Sequence, residues 1–84
     1  MTTRPKISDT QLAEWQASGH KYKIIAAAIA EWASKQDRGT VLPANESFAG
    51  NLPFTASAEP WKQAKILLAR HGVIYRNDGP YQVA

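Results

Sequence analysis

The sequence predicts an α+β domain, mainly helical and closed at its C-terminal end by a two-stranded β-hairpin. Two long stretches, residues 21–34 and 57–71, repeat apolar residues at spacings of three and four, the period of a helix packed on one face. The second stops at Gly72. Directly after it come Val73-Ile74-Tyr75-Arg76, the turn-forming Asn77-Asp78-Gly79, and Pro80-Tyr81-Gln82-Val83, which read as a hairpin. With 84 residues the chain makes one domain with a modest core.

Composition narrows the class. Hydrophobic residues make up 44% and charged residues 20%, the balance of a globular chain. There is no cysteine, so disulfides and thiolate metal sites are excluded, and a reducing cytoplasmic setting fits. No apolar run approaches the roughly 20 residues of a membrane span, and MTTRPKISDT lacks the apolar segment of a signal peptide. Ten Lys and Arg against seven Asp and Glu give a net charge of +3, a mild basic bias that permits nucleic-acid binding without demanding it.

Residues 1–7 are expected to form a flexible basic arm, with Arg4 and Lys6 able to reach along a phosphate backbone or into a minor groove. Residues 8–84 form the domain. Ser8 is an N-cap with Gln11 completing a capping box, Ile7 is a staple candidate, Leu12 and Trp15 give an apolar edge, and Gly19 is the stop. In the second helix Tyr22, Ile25, Ala26, Ile29, Trp32 and Ala33 form one buried stripe, which Ile24 and Ala28 widen. Lys21 and Lys23 stand near its positive end, where they serve phosphate contact or are merely tolerated.

KQDRGT breaks that helix. Val41-Leu42-Pro43 reads as a short extended piece, since Pro43 holds Leu42 extended. Residues 45–51 make two turns of helix with Phe48 and Ala49 inward. The next helix starts near Ser57, an N-cap, with Glu59 suited to its positive end and Pro60 harmless in its first turn. Trp61, Ala64, Leu67, Leu68 and His71 share one face; Lys62, Gln63 and Lys65 lie mainly off it. Tyr75 and Tyr81 are expected to pack across the hairpin.

Helix, short strand, two helices and a hairpin is the order of a winged helix-turn-helix, here with an extra N-terminal helix. From Tyr22 to Ala84 the chain resembles the DNA-binding domain of GntR-type transcription regulators. The resemblance is carried by Tyr22-Lys23-Ile24-Ile25-Ala26, by Gly39-Thr40-Val41-Leu42-Pro43 as the family's Gly-x-x-Leu-Pro, and by Glu46 with Phe48-Ala49. Ala64, Leu68 and Gly72-Val73-Ile74 match the end of the family's recognition helix, and Asp78-Gly79-Pro80-Tyr81-Gln82-Val83 is close to its wing. The chain departs from the family at Ala44, where a capping serine is usual. Ser57-Ala58-Glu59-Pro60-Trp61 also replaces an arginine-rich helix start.

The resemblance implies sequence-specific binding of double-stranded DNA by a small transcriptional regulator, repressor-like. The helix of residues 57–71 would enter the major groove, and the wing of residues 75–82 would rest on the backbone or minor groove. Ser57, Lys62 and Lys65 are the contact candidates on the helix. Glu59 is unfavourable near phosphate but able to accept from cytosine N4. Arg76, Asn77 and Gly79 are the candidates on the wing, glycine allowing close backbone approach.

Two rivals stand beside this. A winged helix can instead bind protein, which the few arginines, Glu59 and the low net charge favour. A stand-alone domain of this size also resembles recombination or partition accessory proteins of plasmids and phages. Residues 12–32 further resemble the start of a resolvase helix-turn-helix, but Pro43 blocks the long helix that would have to follow.

Enzyme activity is not expected. His20 and His71 are far apart, and there is no phosphate loop, nucleophile elbow or carboxylate pair. No cofactor or metal is expected, and no small-molecule effector, since no second domain follows Ala84. A homodimer stays open: residues 8–18 are the spare surface, with Trp15 either a contact or packed onto the core.

Overall fold

A computed structural model describes residues 7–84. The first helix, α1 (Asp9–Ala17), begins at its expected cap: Ser8 is extended, and its Oγ accepts from the Gln11 N–H at 3.1 Å. The box is only half formed, because Gln11 Nε2 donates at 3.4 Å to Glu14 rather than returning to Ser8. Ile7, just before the cap, is buried. Gly19, at φ +82°, takes the left-handed conformation that ends the helix. Trp15 is only 4% exposed, which settles it as a core residue rather than a contact.

Helix α2 (Lys21–Ala33) buries Ile25, Ala26, Ala27, Ile29, Ala30 and Ala33. Ile24 and Ala28, expected to widen the stripe, are half-buried on the other flank; Ala27 and Ala30 widen it instead. The cause is packing on two sides. Helices α1 and α4 (Ala58–Arg70) make the most extensive contacts with α2, and alanines let helix backbones come close.

Gly39, at φ +90°, turns the chain toward the hairpin, and its N–H donates to Val83 O at 2.8 Å. Val83 N–H donates to Thr40 O and Leu42 N–H to Tyr81 O, both at 2.9 Å, with a bridge between Val41 and Gln82. The expected extended piece is thus tied to the returning strand.

Helix α3 (Glu46–Ala49) is a single turn, shorter than the expected two. Phe48 points inward and meets Trp32 edge-on, at 5.6 Å between ring centroids. Ala49 is exposed rather than inward, since one turn has room for one buried position. Gly50 and the Leu52-Pro53 pair that follows stop the helix, Pro53 keeping Leu52 out of helical geometry.

In α4, Trp61, Ala64 and Leu68 are buried, with Leu67 and His71 at the edges of that face. Ser57 precedes it in extended conformation but makes no capping hydrogen bond with its side chain. The other end is a Schellman motif. Val73 N–H donates to Leu68 O at 3.0 Å, Gly72 N–H donates to Ala69 O at 3.1 Å, and Gly72 sits at φ +75°. Leu68 and Val73, the apolar pair that accompanies this motif, are both buried. The motif fixes the angle at which the helix passes into the sheet.

Strands β1 (Ile74–Tyr75) and β2 (Gln82–Val83) pair antiparallel, Ile74 opposite Val83 and Tyr75 opposite Gln82. The molecule is therefore an α+β domain, about half helical, with a two-stranded antiparallel sheet. The turn between the strands spans residues 76–81 and is wider than a two-residue hairpin loop. Its left-handed residue is Asp78, at φ +61°, while Gly79 does not need positive φ. Asp tolerates that conformation better than most side chains, so the turn needs no glycine there.

Candidate functional site

Helix α4, the hairpin and the start of α3 enclose a groove of about 490 Å³. Asn45, Ala58, Trp61, Lys62, Lys65, Ile66, Arg76 and Tyr81 line it. Lys62 and Lys65 are three apart on α4 and so share a side. Trp61 is buried beneath them. The Schellman turn leads α4 into the hairpin, whose Arg76 and Tyr81 line the same groove.

Lys65 is not a free surface lysine. Its Nζ donates to Asn45 Oδ1 at 2.9 Å in a part-buried contact between α4 and the start of α3. Burial pushes the Lys65 ammonium below its ordinary value of 10.5, because desolvation disfavours the charged form. Arg76 is exposed, but its guanidinium lies over the Tyr81 ring, 5.2 Å from the centroid. The expected pairing of Tyr75 with Tyr81 is not formed: the register sets Tyr75 against Gln82, and Tyr81 lies beyond the ladder.

The other sequence candidates divide. Ser57 lines a neighbouring depression of about 310 Å³ between α3 and α4, which shares Asn45, Ala58 and Trp61 with the first. Glu59 is exposed outside the groove, and its carboxylate accepts from Gln63 Nε2 at 2.8 Å. Asn77 and Gly79 are exposed in the turn, and a Cβ on Gly79 would meet only Asn77 O, at 4.0 Å. Arg4 and Lys6 lie outside the described residues. Lys21 is turned to the chain before α4, its Nζ donating to Thr55 O at 3.4 Å and lying 5.6 Å from the Phe54 centroid.

Sequence reading missed Asn45 and gave Tyr81 another role. Asn45 stands where a helix cap is expected, yet its own backbone is helical and its side chain caps nothing. No local signal marked it, because the partner of its side chain, Lys65, lies twenty residues along the chain.

A second groove, of about 590 Å³, runs between α2 and α3. Its wall is apolar at Ile24, Ala28, Trp32, Phe48 and Leu52, with Glu31 and Lys35 at the rim. Among the described residues, no cluster of His, Asp and Glu could hold a metal ion, and no helix is long and apolar enough to cross a membrane.

No protein-family model matches the chain, and neither a curated protein nor a solved structure is significantly similar to it. The GntR-type likeness rests on its residue anchors alone.

Proposed function

We propose that this chain is a winged helix-turn-helix that binds double-stranded DNA as a small, repressor-like transcriptional regulator. Helix α4 is its recognition helix, and the turn of residues 76–81 is its wing. One observation carries the proposal: Lys62 and Lys65 from the helix and Arg76 from the hairpin converge on a single groove with no carboxylate among its lining residues. Three cations on one concave face suit a polyanion. The order of elements supports it as well. A helix, a strand-like bridge at Val41, a short helix, a long helix and a hairpin follow one another as in a winged helix.

In this mechanism α4 lies in the major groove, and Lys62 meets phosphate or a guanine edge. Arg76, kept flat by Tyr81, contacts backbone or the adjacent minor groove. A gel shift at 50 and 200 mM salt tests it. Two neutralised phosphates, at Lys62 and Arg76, predict a loss of affinity on the order of 12-fold across that range. Lys62→Ala lowers the slope by about 0.9. Absence of duplex binding at the lower salt overturns the proposal.

The groove between α2 and α3, with its apolar patch at Ile24, Ala28, Trp32, Phe48 and Leu52, favours a second function, a winged helix that docks a protein. A recombination or partition accessory of a plasmid or phage would use the same DNA surface.

A further inference from the structure

We infer that Asn45 is a base-reading residue of the groove, selective for adenine, and that Lys65 is the positioning residue that orients it. This rests on the DNA-binding function proposed above and names a specificity determinant within it.

Asn45 stands just before α3 with helical backbone angles, a geometry in which its side chain does not cap the helix and is left to other partners. What holds it is Lys65, twenty residues along the chain, whose ammonium donates to Oδ1 at 2.9 Å. An ammonium has donors only, so it meets the amide oxygen and turns the amide NH₂ the other way. The side chain is thereby fixed in one of its two flipped states. Oδ1 keeps a second lone pair, and Nδ2 keeps its donors.

The rest of the groove cannot do this. Lys62, Lys65 and Arg76 offer donors alone and suit phosphate or guanine. Asn45 alone among the lining side chains carries a planar acceptor beside a donor. That pair matches the N6–H₂ donor and N7 acceptor on the major-groove edge of adenine. Helix α4 carries Lys65 into the groove beside it and Lys62 one turn before, so docking of the recognition helix would bring Lys62 to the backbone and the amide to a base edge.

The experiment selects duplexes from a randomised pool with the full chain, then measures single-base variants of the selected site by gel shift. Wild type is expected to prefer adenine at one position by about 5- to 150-fold. Asn45→Ala removes the preference at that position alone. Asn45→Asp keeps an acceptor for Lys65, so it stays folded, and moves the preference from adenine to cytosine, whose N4–H₂ a carboxylate accepts. Lys65→Met weakens discrimination at that same position. A packing role for either residue would lower affinity for every sequence equally and move no base.

An adenine preference unchanged in both Asn45 variants overturns the inference, as does a wild type that binds all duplexes alike. In both cases DNA binding itself survives. A uniform loss in Lys65→Met makes Lys65 a plain phosphate contact and overturns its positioning role. If wild type retains no duplex at low salt, the inference and the proposed function fall together.

Discussion

The Arg76 guanidinium lies over the Tyr81 ring, 5.2 Å from its centroid, and so joins the two sides of the hairpin turn. An exposed contact of this kind contributes about 0.5–1 kcal/mol, small beside the fold but large for a turn held by one short ladder. It also decides where the cation sits. Without the ring, a long arginine on a surface turn samples many rotamers, and ordering it on binding costs entropy. Tyr81→Phe should therefore bind duplex DNA as wild type does. Tyr81→Leu should bind several-fold more weakly while unfolding within about 1 kcal/mol of wild type. Gel shift and urea denaturation measure the two quantities. Equal affinity for the leucine variant would show that the ring does not organise the wing.

The passage from α4 to β1 turns on Gly72 at φ +75°. A side chain there brings its Cβ against the carbonyl, at about 1–2 kcal/mol. Gly72→Ala should lose that much stability in urea, and Gly72→Asn less, since asparagine tolerates the left-handed region. If alanine were neutral, the Schellman hydrogen bonds would not be what sets the helix against the hairpin.

Helix ends and the hairpin were legible in the sequence because local chemistry dictates them. Ser8, Gly19 and Gly72 act within a few residues of themselves, and each sits where its cap or stop predicts. The flank of α2 that is buried was not legible. Ala26, Ala27, Ala28 and Ala30 are alike in hydropathy, so periodicity names a face, and only the arrival of α1 and α4 chooses its edges. The same limit hid the Lys65–Asn45 bond: its partners lie on separate elements, and nothing local in either residue announces the other. The turn was legible in place but not in detail. Asn-Asp-Gly marked the turn, but not which of its residues takes the left-handed conformation, which is Asp78.

Lys65 makes the stability of the fold depend on alkaline pH. Its folded-state value lies below the ordinary 10.5, so the folded protein releases this proton before the unfolded chain does. Below both values the fold carries the cost of a partly desolvated ammonium. Between them the unfolded state binds more protons, so stability rises with pH, and the cost is gone above 10.5. Other lysines and tyrosines titrate nearby, so the informative quantity is the difference between wild type and Lys65→Met. That difference should move in favour of wild type as pH rises from neutrality to 10.5, read by urea denaturation at each pH. A difference independent of pH would mean that the ammonium is as well solvated folded as unfolded.

Trp15 and His71 pack edge to face, ring centroids 5.2 Å apart and planes at 80°, and fasten α1 to the end of α4. The indole is 4% exposed, so its removal empties a large volume from a core of modest size. Trp→Ala changes at such sites cost about 3–5 kcal/mol. A domain of this length has about 4–13 kcal/mol in total, so Trp15→Ala should lose at least about a quarter of its stability at 25 °C. Trp15→Phe keeps an aromatic edge for His71 and should lose much less. Because the indole faces the core and not a partner, the loss should be the same at low and high protein concentration. Urea melts at two concentrations check this. A Trp15→Ala defect that shrinks as concentration rises would instead place Trp15 in an interface between copies and return α1 to use as a dimer surface.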